Sequence, residues 1–189
     1  DEWMERQLLT FAGIATVCDI VDLLGENRAL VQMGLAEIRK TENIGLRVLI
    51  EEAGLSDKVI SEYHIGFIIG PCINATGRLE SGRLAVELFC TQDEKEAREK
   101  ARHLVMLNAE RKQLTEEAAE RADIALQEGG ALQDRVLVLY DAEIHESIAG
   151  IVAGRIKDKY YRPTILITDS EDGAKGSGRS IEDYHLFEA

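Results

Sequence analysis

Apolar residues follow one rhythm through most of this chain and another near its end. From Glu26 to Ile38, the residues Leu30, Val31, Leu35 and Ile38 fall at helical spacing, and Leu46, Leu49, Ile50 and Ala53 repeat the pattern behind a candidate cap at Asn43. Gly54 closes that second helix. Ser61 is placed to cap a short helix that has to end before Pro71, because the residue preceding a proline avoids the α region. Ser81 opens another helix to about Cys90, and Asp93 caps a far longer one reaching Gln127 before the Gly129-Gly130 stop. At 1.5 Å per residue that helix is about 50 Å long. Its apolar stripe (Leu104, Leu107, Leu114, Ala118, Ala125) is narrow, and charged residues such as Glu110, Arg111, Glu117 and Arg121 cover the rest. So polar a helix predicts a connector between two domains rather than a core element.

Two stretches read differently. Phe11 to Ile20 is a short run of small and apolar residues ending near Asp19, which predicts a buried strand leading into a loop. After the double glycine, Val136 to Tyr140 is a continuous apolar strand, Ser147 to Lys159 a helix and Thr164 to Thr168 a second strand. This is a βαβ unit whose strands should be parallel and buried on both faces. A turn from Asp169 to Gly173 then leads into a glycine-rich strand, with a further helix start at Asp183. The fold class is therefore α/β: a helical part, a long helix, and a small part built on the βαβ unit.

Composition narrows the picture. The chain has 189 residues, 45% of them hydrophobic, enough for one large or two small domains. No apolar run approaches the roughly 20 residues that cross a bilayer, so a cytoplasmic protein without a membrane partner is expected. Cys18, Cys72 and Cys90 show no CxxC or Cys/His spacing, which predicts reduced, mostly buried thiols and no zinc site. A net charge of −13 argues against a broad basic footprint for duplex DNA, so any nucleic-acid site has to be local.

Several residues could carry chemistry. Asp19 reads either as a plain turn aspartate or as a ligand for a hard divalent cation. The segment GPCINATGRL, Gly70 to Leu79, reads as an interhelical loop, with Asn74 polar and Arg78 either a surface residue or a fork aimed at phosphate. In GSGRS, Ser177, Gly178 and Arg179 combine close backbone approach, a hydroxyl and a guanidinium, but a glycine-rich edge strand explains them equally. His145 stands before the helix that opens at Ser147, as a substrate-side group or a cap. His64 and His103 lack partners at metal spacing. Neither a P-loop, a dinucleotide fingerprint nor a nucleophile elbow occurs.

Taken in order, ATVCDIVDLLGENRALV, IGPCINATGRL, the LNAERK helix, HESIAGIVAGRI, YYRPTILI and KGSGRS resemble the RecJ-type single-strand-specific exonucleases of the DHH phosphoesterase family across nearly the whole chain. The resemblance implies a parent enzyme that removes nucleotides from single-stranded DNA in the 5′ to 3′ direction, in repair and recombination alongside other repair proteins. A two-metal Mn2+ or Mg2+ site would activate water and stabilise the leaving oxygen. It makes Asp19 a metal ligand and catalytic residue, Asn74, Arg78, Ser177, Gly178 and Arg179 contacts to substrate phosphates, and His145 a substrate-side residue. It also divides the chain into the end of a DHH domain (1–92), a connecting helix (93–130) and a DHH-associated domain (131–189). The family's N-terminal aspartate motif and DHH triplet do not occur here, so the chain is expected to be an internal piece, inactive and without bound metal on its own. A DHH-family phosphodiesterase of short oligonucleotides or cyclic dinucleotides is the rival enzyme, but GSGRS stands where that group carries a GGGH-type signature. A non-catalytic nucleic-acid-binding module is the other rival.

Overall fold

Helices occupy the first two thirds of the molecule. The computed structural model describes residues 2–171 and 173–188, and its chain forms two units, Asp1–Ala109 and Glu110–Ala189. The first contains α1 (Glu2–Cys18), α2 (Gly25–Ile38), α3 (Ile44–Glu52), α4 (Glu62–His64), α5 (Gly70–Leu79), α6 (Arg83–Cys90) and the first half of α7 (Glu94–Glu128). Its core gathers Ile14, Ile38, Leu46, Leu49, Ile65, Ile69, Leu88 and Leu104. Removing each such large side chain from water stabilises the unit by roughly 1.5–3 kcal/mol.

Asn43 caps α3 as its position suggested, its Oδ1 accepting from the Leu46 amide at 2.9 Å. Gly54 follows that helix at φ +74°, and Asp93 Oδ1 accepts from the Glu96 amide at 2.8 Å to open α7.

Where a strand was expected at Phe11–Ile20, the chain is helical: α1 runs through to Cys18. A short apolar run has no periodicity that separates a buried strand from a buried helix. What decides is packing. Thr10, Gly13 and Ile14 form one buried stripe, and the backbones of α1 and α2 touch at Gly13 and Gly34, where an added Cβ on Gly34 would lie 2.9 Å from the Gly13 Cα. Only helices with small residues at the crossing approach so closely.

Nor does the helix begun at Ser61 stop before Pro71. It passes through a π turn, Ile65–Ile69, directly into α5, so GPCINATGRL is a helix rather than a loop. The wider turn lets Gly70 bond back to Ile65, and Pro71 follows it directly, at the junction where the hydrogen-bond pattern changes from π to α.

The second unit holds the end of α7, then β1 (Leu137–Tyr140), α8 (Glu146–Tyr160), β2 (Thr164–Ser170) and β3 (Gly173–Arg179). The sheet order is β1-β2-β3, with β1 parallel to β2 and β3 antiparallel to it. Burial on both faces does not hold for β1. Its Leu137 and Leu139 are buried but Val138 and Tyr140 are 54% and 63% exposed, because β1 is an edge strand and the core lies on one face only. That core joins Leu137, Leu139 and Leu166 to Ile148, Val152 and Ile156 of α8 and Ala118, Ala122 and Leu126 of α7.

Helix α7 is therefore more than a connector: Ala97, Ala101 and Leu104 serve the first core, and Ala118, Ala122 and Leu126 the second. Of the predicted stripe Leu104 and Ala118 serve these cores and Ala125 is exposed, while Ala97, Ala101 and Ala122 widen it beyond the residues predicted. The segment around Asp183 forms turns rather than a helix start, and Asp172, within the expected turn before β3, lies outside the described residues. Among the cysteines only Cys72 is buried, with Cys18 half-buried and Cys90 exposed at the end of α6, and none of the three forms a disulfide. No described helix is long and apolar enough to cross a membrane.

Candidate nucleic-acid interface

In the first unit, α1 ends at Cys18 and the chain turns at Asp19, whose amide still donates to Ala15 O at 2.9 Å. Ile20 follows in the left-handed region at φ 55° and is 90% exposed. Asp19 therefore sits on a helix C-terminal turn, not at the end of a strand. It lines a groove of about 760 Å³ with Thr16, Asn27, Ile73 and Asn74. The Cys18 thiol is pushed up in pKa by burial and then by the Asp19 charge, so it stays a neutral thiol beside that carboxylate.

Helix α5 brings Asn74 to the same groove because Cys72, Ala75 and Thr76 take the buried side. Asn74 and Arg78 are exposed and four residues apart, so they share one face of α5. Arg78 lies in the last turn, where a cation is favoured by the helix dipole.

Asp19 offers a single carboxylate, and among the described residues no group of three or more His, Cys, Asp or Glu could hold a metal ion. The donors present do not make a complete metal centre. His64 Nδ1 is occupied by the Ser61 backbone and hydroxyl, and His103 Nε2 pairs with Glu80 at 2.9 Å.

In the second unit the strand register sorts β3 into two faces. Lys175, Ser177 and Arg179 stand opposite Thr168, Leu166 and Thr164, all three of which are buried. Directly paired residues share a face, so these three point to the side covered by α8. Contacts agree: Lys175 Nζ lies 3.1 Å from Glu146 Oε2 in the first turn of α8, and the Arg179 guanidinium reaches Gly150 one turn on.

Gly176 and Gly178 face the other way, toward Ile167 and Ile165, and a Cβ at Gly178 would lie 2.4 Å from Leu186 Cδ2. Close packing by Leu186 thus accounts for this glycine locally. Its carbonyl accepts from Arg179 Nη1 at 2.8 Å.

His145 is the N-cap of α8, its Nδ1 accepting from the Ser147 amide at 3.3 Å. With Nδ1 an acceptor, the proton of the neutral ring resides on Nε2, a donor for an oxyanion. The fold so places His145 at the start of α8 and the Arg179 guanidinium beside Gly150 of its second turn, with Ser177 on the same strand face as Arg179. Sequence reasoning had not nominated Lys175, although alternation along the strand marks 175, 177 and 179 as one row.

Comparison with known proteins bears on both units. Residues 133–189 match the DHHA1 domain. Over 185 residues the chain is 37% identical to the single-stranded-DNA-specific exonuclease RecJ of Bacillus subtilis, covering 97% of this chain and 23% of that protein. Residues 133–189 thus carry a DHHA1 domain, and nearly the whole chain is similar to a part of RecJ. The Escherichia coli RecJ exonuclease is 34% identical over 195 residues, covering 97% of this chain and 33% of its own length. A crystal structure of Thermus thermophilus RecJ in complex with Mn2+ superposes with a TM-score of 0.81 at 35% identity, over 95% of this chain and 26% of that one. Its Mg2+ complex gives 0.79 at 34% identity, over 95% and 28%. The chain thus spans about a quarter to a third of the RecJ proteins it matches.

Proposed function

We propose that this chain is the phosphate-gripping part of a divalent-metal-dependent exonuclease that degrades single-stranded DNA from the 5′ end. The observation that carries the reading is the row on β3: in a RecJ-type chain, Ser177 and Arg179 share the strand face that meets the start of α8. The guanidinium offers a bidentate contact to a phosphate, with the Ser177 hydroxyl and His145 Nε2 as neighbouring donors. Asn74 and Arg78 supply further contacts to the nucleic-acid backbone in the first unit, and Gly178 serves the phosphate site through its carbonyl, which orients the Arg179 guanidinium. In the longer protein Asp19 would be one ligand to Mn2+ or Mg2+, and so a catalytic residue, the metal supplying activation of the attacking water. Repair and recombination in the cytoplasm, beside other repair proteins, is the setting. Residues 1–92 are the end of a DHH domain, 93–130 the link and 131–189 the DHH-associated domain.

By itself the chain acts as a binding module without turnover, a reading favoured by Asp19 standing outside any three-donor cluster among the described residues. The test is binding of a 5′-phosphorylated oligo(dT) to the chain over a range of salt concentrations. Losing one charge-assisted phosphate contact weakens affinity by roughly tenfold to a hundredfold and flattens the log–log salt slope by about 0.7. Arg179→Ala should do both. Unchanged affinity and slope in a folded variant would remove Arg179 from the interface.

A further inference from the structure

We infer that Gly150 is a positioning residue: the absent side chain leaves a slot on α8 in which the Arg179 guanidinium is held for an oxyanion of a nucleic-acid backbone. The inference rests on the phosphate-binding reading of Arg179 above.

The geometry is direct. A Cβ at Gly150 would lie 2.5 Å from Arg179 Nη2, 3.3 Å from Cζ and 3.6 Å from Nη1, so all three guanidinium atoms nearest the helix lie across this one position. Carbon and nitrogen without a bond between them approach optimally at about 3.5 Å, so a methyl group there moves the fork by about 1 Å. The displaced group is the end of a flexible side chain rather than backbone, and the strand and helix need not part.

A second contact fixes the fork from the strand side, Nη1 donating to Gly178 O at 2.8 Å. Among the described residues no carboxylate lies within ion-pair distance of Arg179, whereas Lys175 in the same row is paired with Glu146 at 3.1 Å. Arg179 is thus oriented by neutral backbone and an empty Cβ position, and its charge is left for a ligand. Smallness is not a general demand of this helix face. At Gly154, one turn further along α8, an added Cβ meets nothing within 4 Å.

The experiment follows the Arg179 Nε–H resonance by NMR in the chain carrying Gly150→Ala or Gly154→Ala, then measures oligo(dT) affinity of the same variants with and without Arg179→Ala. Gly150→Ala should move the Arg179 resonance and weaken binding by about threefold to tenfold, the effect of an off-rotamer arginine. The substitution should add less than about twofold once Arg179 is alanine, since positioning energy has then nothing to act on. Gly154→Ala should leave both readouts unchanged. An unmoved resonance in Gly150→Ala, or an equal loss of affinity in both backgrounds, overturns the inference. If the resonance moves but Arg179→Ala alone leaves affinity intact, the phosphate-binding reading has failed and the inference falls with it, while the slot geometry is seen to be real.

Discussion

Gly45→Ala is a demanding test of how the first unit is assembled. Gly45 lies in the first turn of α3, against the end of α6, and an added Cβ would stand 1.9 Å from Leu88 O and 2.6 Å from Leu88 C. Ordinary carbon–oxygen contacts begin near 3.3 Å, so the two helices would have to part by about 1.4 Å. Both obstructing atoms are backbone, and Leu88 is fully buried, so no side-chain rotation relieves the clash. The separation also stretches the bond from Asn43 Nδ2 to Phe89 O, now 2.8 Å. Overpacking by one methyl costs about 1–3 kcal/mol and the lost hydrogen bond about 0.5–1.5, while alanine's helix propensity returns at most about 1. A net loss of about 1–4 kcal/mol is expected. Trp3, the only tryptophan, lies in α1 of the same unit and allows a urea titration to be read there by fluorescence. A variant as stable as the parent chain would show that α3 and α6 are not in backbone contact, and the packing described for this unit would be wrong.

Two further outcomes concern the second unit. Gly154→Ala, in the interior of α8 with open space around the new methyl, should stabilise it by about 0.5–1 kcal/mol, and slower amide exchange in α8 is the measurement. Asp123 has its carboxyl held below the usual range, first by the hydrogen bond from Lys159 at 2.6 Å and then by that from Tyr160. A depressed folded pKa contributes stability that is present above the ordinary carboxylate value and is lost as pH falls through the depressed one. Asp123→Asn should therefore lower stability at neutral pH and flatten its decline on acidification, and parallel pH curves for the two proteins would refute this.

How much of this was legible in the residues depends on the range of the forces involved. Caps and stops are local: Asn43, Gly54, Asp93 and Gly129-Gly130 each act on a backbone group within a few residues, and each helix boundary they mark is found close to its predicted place. The βαβ unit was equally readable, because apolar runs separated by a helix-length segment leave few ways to cover the strands. The resemblance to RecJ rested on the order of motifs, which needs no coordinates.

Tertiary structure decided the rest. Phe11–Cys18 became helix because Gly13 and Gly34 let two backbones touch, a contact between positions far apart in sequence. Pro71 could stay inside a helical run only because the preceding π turn rearranged the bonds it would have broken. That β1 is an edge strand, open on one face, follows from sheet order, and which residues of β3 meet α8 follows from register. A slip of one residue would have turned Ser177 and Arg179 away from the helix. The motif GSGRS supplies the hydroxyl and the guanidinium; pairing with β2 determines which face of the strand they take.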